Sequence, residues 1–204
     1  MRPGDFEFLS VLVKEQSGLV LNEDKSYLLE SRLMPVARKR GLKGLEELVD
    51  TMKVHSDAGL VKSVTEAMTT NESFFFRDIK PFDLFRDHVL PKMVTSRASK
   101  KALRIWCAAA ASGQEPYTLA MVLKEETAKL AGWRTEIVGT DISEDILAKA
   151  KAGIYSQFEV QRGLPIQLLL KYFKKQDEMW QIDPALQALI EFKFYNLLND
   201  LQPL

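Results

Sequence analysis

Apolar residues recur at helical spacing through about the first 70 positions, then gather into short unbroken runs after residue 102. In DFEFLSVLVKEQSG, Phe6, Leu9 and Val13 fall on one helical face and Gly18 stands as a stop. LNEDKSYLLESRLMPVARKRG predicts a second helix, with Asn22 and Asp24 as candidate caps and Gly41 as a terminator. Pro35 lies inside that pattern and predicts a kink or break near Met34. LEELVDTMKV and LVKSVTEAM add two amphipathic segments, and a further helix is expected from about Pro81 to Val94. TTNESFFFRD, residues 69–78, interrupts the pattern with three adjacent phenylalanines beside polar groups.

The pattern changes from residue 102: LRIWCAAA reads as a buried parallel strand, and ASGQEPY as the turn into a helix beginning YTLAMVLKEE. TEIVGTDIS repeats the strand signal and EDILAKAKAG the helix, stopped by Gly153. Strand–helix–strand–helix predicts a parallel α/β sheet. LPIQLLLKYFKK reads as a helix, and EMWQI and LIEFKFYNL as strands, giving about four strands in all.

Composition narrows the function. The 204 residues carry 28 Lys+Arg against 28 Asp+Glu, which weakens any reading that needs a broad phosphate-binding face. One cysteine, Cys107, excludes an internal disulfide and fits a cytoplasmic protein. No apolar run is long enough for a membrane span, and MRPGDFEF lacks a signal-peptide core. His55 and His88 have no metal-type partners at ligand spacing, so no metal is expected.

Ligands of doubly wound sheets bind beyond the carboxyl ends of the strands. That rule selects AAASGQEPY and GTDIS. Asp141, ending the second strand, suits a ribose diol, although Asp is also a favoured helix cap. GxGxxG and GxxxxGK[ST] are both absent, so the usual pyrophosphate cradle is missing.

TTNESFFFRD, RIWCAAAASGQEPYTLAM, GTDIS, Ile154–Tyr155, RGLP and FYNLL together resemble the CheR-type chemotaxis methyltransferases, in that family's order. The resemblance implies a small all-helical N-terminal domain over 1–70 and a linker with a connecting helix over 71–101. A Rossmann-like S-adenosylmethionine (SAM) domain over 102–204 would follow, its sheet incomplete. It implies methyl transfer from SAM to glutamate side chains on the cytoplasmic domain of methyl-accepting chemoreceptors, leaving S-adenosylhomocysteine (SAH). Asn71, Ser73 and Arg77 would reach the cofactor from the linker, with Arg77 nearest the reacting groups. Glu115, Asp141, Asn196 and Leu197 would complete the cofactor site. Arg32, Arg38 and Arg40 would face the acidic receptor helix. Phe74, Phe75 and Phe76 would anchor the decapeptide as a strap between the two domains.

The chain also departs from the family pattern. Ala109 stands where a Gly is common, which costs on the order of 1 kcal/mol if the backbone there is left-handed. Gln114 replaces a common Glu. A later strand, an Arg-Asn pair, a tyrosine and a small inserted β-subdomain are not recognisable, which reads as a C-terminal truncation. An incomplete sheet would leave an apolar edge open to self-association. The alternative function is a non-catalytic module binding SAM or receptor; a nucleic-acid methyltransferase is disfavoured by the balanced charge.

Overall fold

The structure, a computed structural model, describes residues 2–55 and 57–202. Contacts group the chain into two units, Met1–Thr70 with Asn196–Leu204, and Asn71–Tyr195. In the first, the helical pattern becomes α1 (Pro3–Ser17), a 3-10 turn (Glu23–Lys25), α2 (Ser26–Lys39), α3 (Leu45–Val54) and α4 (Ala58–Met68). Their apolar faces meet in one buried cluster that includes Leu9, Val13, Leu29, Leu33, Leu48 and Val64. The break expected near Met34 does not occur, and α2 runs through Pro35. Pro35 is exposed while Leu33 and Ala37 on either side are fully buried, so packing holds the helix together across the lost hydrogen bond.

The second unit begins at Asn71, within the decapeptide. The helix expected at 81–94 forms as α5 (Lys80–Leu84), a π-helical stretch (Phe85–Val89) and α6 (Leu90–Ser96). Leu90 N–H donates to Phe85 O within this wide turn, one residue before Pro91, which has no N–H of its own.

Next come β1 (Ala102–Ala108), α7 (Gln114–Glu125), β2 (Arg134–Asp141), α8 (Glu144–Ala152), β3 (Ile154–Ser156), α9 (Gln157–Gln161) and α10 (Ile166–Tyr172). The unit ends with β4 (Phe173–Gln176), β5 (Met179–Ile182), α11 (Pro184–Gln187) and β6 (Ile190–Phe194). The α/β class preceded by an all-helical region is therefore as expected. The strands β1, β2 and β6 form a parallel sheet in the order β1-β2-β6.

The strand count needs correcting. EMWQI does not join the parallel sheet; as β5 it pairs antiparallel with both β3 and β4 in a separate three-stranded sheet. A small antiparallel insertion is thus present, contrary to the sequence reading. It was hidden because β3 has only three residues and β4 follows α10 directly, with no turn residue between them.

Candidate functional site at the ends of β1 and β2

Two loops leave the carboxyl ends of the parallel strands. After β1 the chain turns through Ala109 (φ 55) and Ala111 (φ 48), then Gly113 (φ 91) opens α7. Both alanines occupy the left-handed region, so the strain considered for Ala109 is real and Ala111 shares it. Ala110 N–H donates to Thr140 O at 2.8 Å, and Gly113 N–H returns to Ala110 O at 3.0 Å. Tyr155, fully buried, donates its hydroxyl to Ser112 O at 2.8 Å from beneath. Its phenol is held well above the ordinary range, chiefly by burial, so it stays a donor.

Asp141 ends β2 with its carboxylate buried. Oδ2 accepts from Ala111 N–H at 2.9 Å and Oδ1 from Ser143 N–H at 3.0 Å. The helix cap is Ser143, whose Oγ accepts from Ile146 N–H. Asp141 therefore joins the two loops. Each carboxylate oxygen has about two acceptor positions, so one on each remains for a diol. These acceptors suit the ribose hydroxyls of SAM on this ground.

Glu115 projects from the first turn of α7 and is exposed. It lies against the Cys107 thiol, whose pKa is pushed far up by burial first and by this carboxylate second. Cys107 is therefore an inert packing residue.

The decapeptide is fastened unequally. Phe75 is fully buried, edge-on to Tyr155 (5.0 Å between centroids) and to Phe173 (5.5 Å). Phe76 is partly buried against Phe82, and its N–H donates to Thr118 Oγ1 at 3.2 Å. Phe74 is also only partly buried, with the Arg162 guanidinium 4.4 Å and that of Arg77 5.6 Å from its ring centroid. Burial thus anchors the segment mainly through Phe75, rather than through all three rings.

Arg77 is exposed and loosely held; Nη1 donates to Glu72 O at 3.3 Å and Nε is 4.0 Å from Asp78 Oδ2. Asn71 and Ser73 lie on the same segment, both partly buried.

The remaining expected site residues lie in the helical unit. Asn196 Nδ2 donates to Gln16 O at 2.7 Å, and Leu197 is exposed. Arg32 donates to Met68 O (2.7 Å), Thr69 O (3.1 Å) and Thr70 Oγ1 (3.2 Å), closing the C-terminus of α4. Arg40 pairs at 3.0 Å with Asp57, which caps the N-terminus of that helix. Arg32 at the C-terminus and Asp57 at the N-terminus carry the signs that complement the helix dipole. Arg38 is exposed.

Three residues that contact the decapeptide or the β1 loop were not assigned by sequence reasoning: Thr118, Tyr155 and Arg162. Tyr155 and Arg162 stood inside quoted motifs. Thr118 likewise stood inside RIWCAAAASGQEPYTLAM, where nothing separated it from its neighbours on α7.

Among the described residues, no helix is long and apolar enough to cross a membrane, and no group of three or more His, Cys, Asp and Glu could hold a metal.

Comparison with known proteins follows the division between helical and α/β regions. Residues 4–69 match the family model described as CheR methyltransferase, all-alpha domain, and residues 71–204 match CheR methyltransferase, SAM binding domain. The chain is 40% identical over 199 residues to chemotaxis protein methyltransferase 1 of Pseudomonas aeruginosa, and 37% identical over 199 residues to chemotaxis protein methyltransferase Cher2 of Pseudomonas putida. Both alignments cover 96% of this chain and 72% of the relative. Chemotaxis protein methyltransferase 1 of Vibrio cholerae is 35% identical over 190 residues, 92% of this chain and 68% of that protein.

Proposed function

The chain belongs to the CheR methyltransferase family, whose SAM-dependent methylation serves chemotaxis, and we propose that it methylates glutamate carboxylates on the cytoplasmic domain of chemoreceptors. The carrying observation is the Asp141 carboxylate, which ties the β1 and β2 loops and keeps acceptor capacity for a ribose. SAM supplies an electrophilic methyl group on a sulfonium.

The protein's own task is placement. Asp141 accepts the ribose hydroxyls, and Glu115 faces the cationic part of the cofactor from the start of α7. Asn71, Ser73 and Arg77 approach from the decapeptide. Arg77 orients a carboxylate, for which a guanidinium fork is suited. The substrate glutamate, with a reference pKa of about 4.3, is ionised at neutral pH and needs no general base. The assignment of Asn196 and Leu197 rests on the family resemblance alone. For the receptor, Arg38 is the freest of the three proposed arginines, since Arg32 and Arg40 already hold the ends of α4. A cytoplasmic location follows from the substrate.

The test is transfer of tritiated methyl from SAM to a purified receptor cytoplasmic domain. Alkali-labile label, lost when receptor glutamates are changed to alanine, is the expected result. SAM binding with no transfer would favour the binding-module reading, and label on other residue types would overturn the glutamate assignment.

A further inference from the structure

RGLP, residues 162–165, belongs to none of the loops assigned to the cofactor, yet it meets the decapeptide at three points. Arg162 Nη2 pairs with Glu72 Oε1 at 2.7 Å. The same guanidinium lies 4.4 Å from the Phe74 ring centroid. A Cβ on Gly163, already at φ 84, would overlap the Phe75 carbonyl oxygen, so the two backbones are in direct contact.

Arg77 shares two of these partners. It faces the Phe74 ring and donates to the Glu72 carbonyl. The residues around it are strained, with Phe76 at φ 52, Asp78 at φ 62 and Ile79 at φ 48. Non-glycine residues persist in such conformations only where surrounding contacts over-determine them. Phe75 and the Phe76–Thr118 hydrogen bond supply that constraint on one side. Glu72 and Phe74 supply it on the other, and both are held by Arg162. The Glu72 and Arg162 side chains are 59% and 39% exposed, and exposed ion pairs contribute little to stability. Orientation is what such a contact set provides.

We propose that Arg162 is a positioning residue: through Glu72 and Phe74 it sets the direction of Arg77 toward the cofactor site. This rests on the reading of Arg77 as a ligand-facing residue, and the test separates the two.

SAH affinity and thermal unfolding are measured on the full chain for R77A, R162A, R162K, E72Q and R77A/R162A. R162A is expected to weaken SAH binding about tenfold with little change in unfolding, and the double variant to bind no more weakly than R77A alone. R162K keeps a cation for Glu72 but loses the planar face on Phe74, so it should recover only part of the loss. E72Q should act in the same direction without altering Arg162, which keeps the test open if R162A folds poorly. Wild-type affinity in R162A and E72Q, or losses that add in the double variant, would overturn the inference while leaving Arg77 in place. Wild-type affinity in R77A would instead remove the reading on which it rests.

Discussion

The backbone N–H of Ala111 donates to Asp141 Oδ2 at 2.9 Å, fastening the loop after β1 to the last residue of β2. Ser143 N–H occupies the other oxygen at 3.0 Å. An amide in this position must turn its NH2 toward one of the two donors. Asp141→Asn is therefore expected to lose about 1–3 kcal/mol of stability, the cost of an unsatisfied buried group. It should also weaken SAH binding by about tenfold or more. Chemical denaturation and calorimetric titration on one preparation measure both effects.

Ala109 is exposed and holds φ 55. Glycine relieves a left-handed penalty of about 1–2 kcal/mol and gives back about 0.5–1 kcal/mol in backbone entropy. Ala109→Gly should leave the chain slightly more stable, and Ala109→Val less stable, because a β-branched residue tolerates this conformation worse. Urea denaturation of the pair checks the order.

Adjacent phenylalanines should respond very differently. Phe75→Ala empties a fully buried site and is expected to cost about 3–5 kcal/mol. Phe74→Ala removes a partly exposed ring flanked by two guanidiniums, each contact contributing about 0.5–1 kcal/mol. Equal losses in equilibrium unfolding would mean that burial is shared by the rings, as the sequence alone suggested.

These contrasts mark how far the sequence could be read. The change of hydrophobic period at residue 102 revealed the helical region and the parallel α/β core, because packing of one face imposes those periods on the residues. Asp141 could be selected because strand ends are where such sheets bind ligands. The antiparallel sheet was invisible for a local reason: Phe173–Gln176 follows Tyr172 with no turn residue between helix and strand. The roles of Arg32 and Arg40 were equally hidden. A basic cluster looks the same in sequence whether or not its members also close a helix, and only the distances to Met68 O and Asp57 reveal that second role. Phe74 and Arg162 lie 88 positions apart in sequence, and no spacing rule connects them.

Tyr117 gives a pH signature. Burial pushes its phenol up to about 12, and its hydroxyl donates to Ala150 O at 2.8 Å. The folded state holds this proton more tightly than the unfolded one, whose tyrosine titrates near 10. The resulting stability is intact below pH 10 and lost as pH rises toward 12, by about 2–3 kcal/mol over that interval. Tyr117→Phe should be about 1 kcal/mol less stable at neutral pH, from the missing hydrogen bond. It should show a shallower alkaline decline, read from unfolding midpoints between pH 8 and 12.

The central claim is that the nucleoside sits where β1 and β2 end, on the acceptors of Asp141. A crystal structure of the full chain with SAH tests it most directly. The account predicts both ribose hydroxyls within hydrogen-bond distance of the Asp141 carboxylate, with its bonds to Ala111 and Ser143 retained. A nucleoside bound away from these two loops, or an Asp141 carboxylate making no contact with it, would contradict the account.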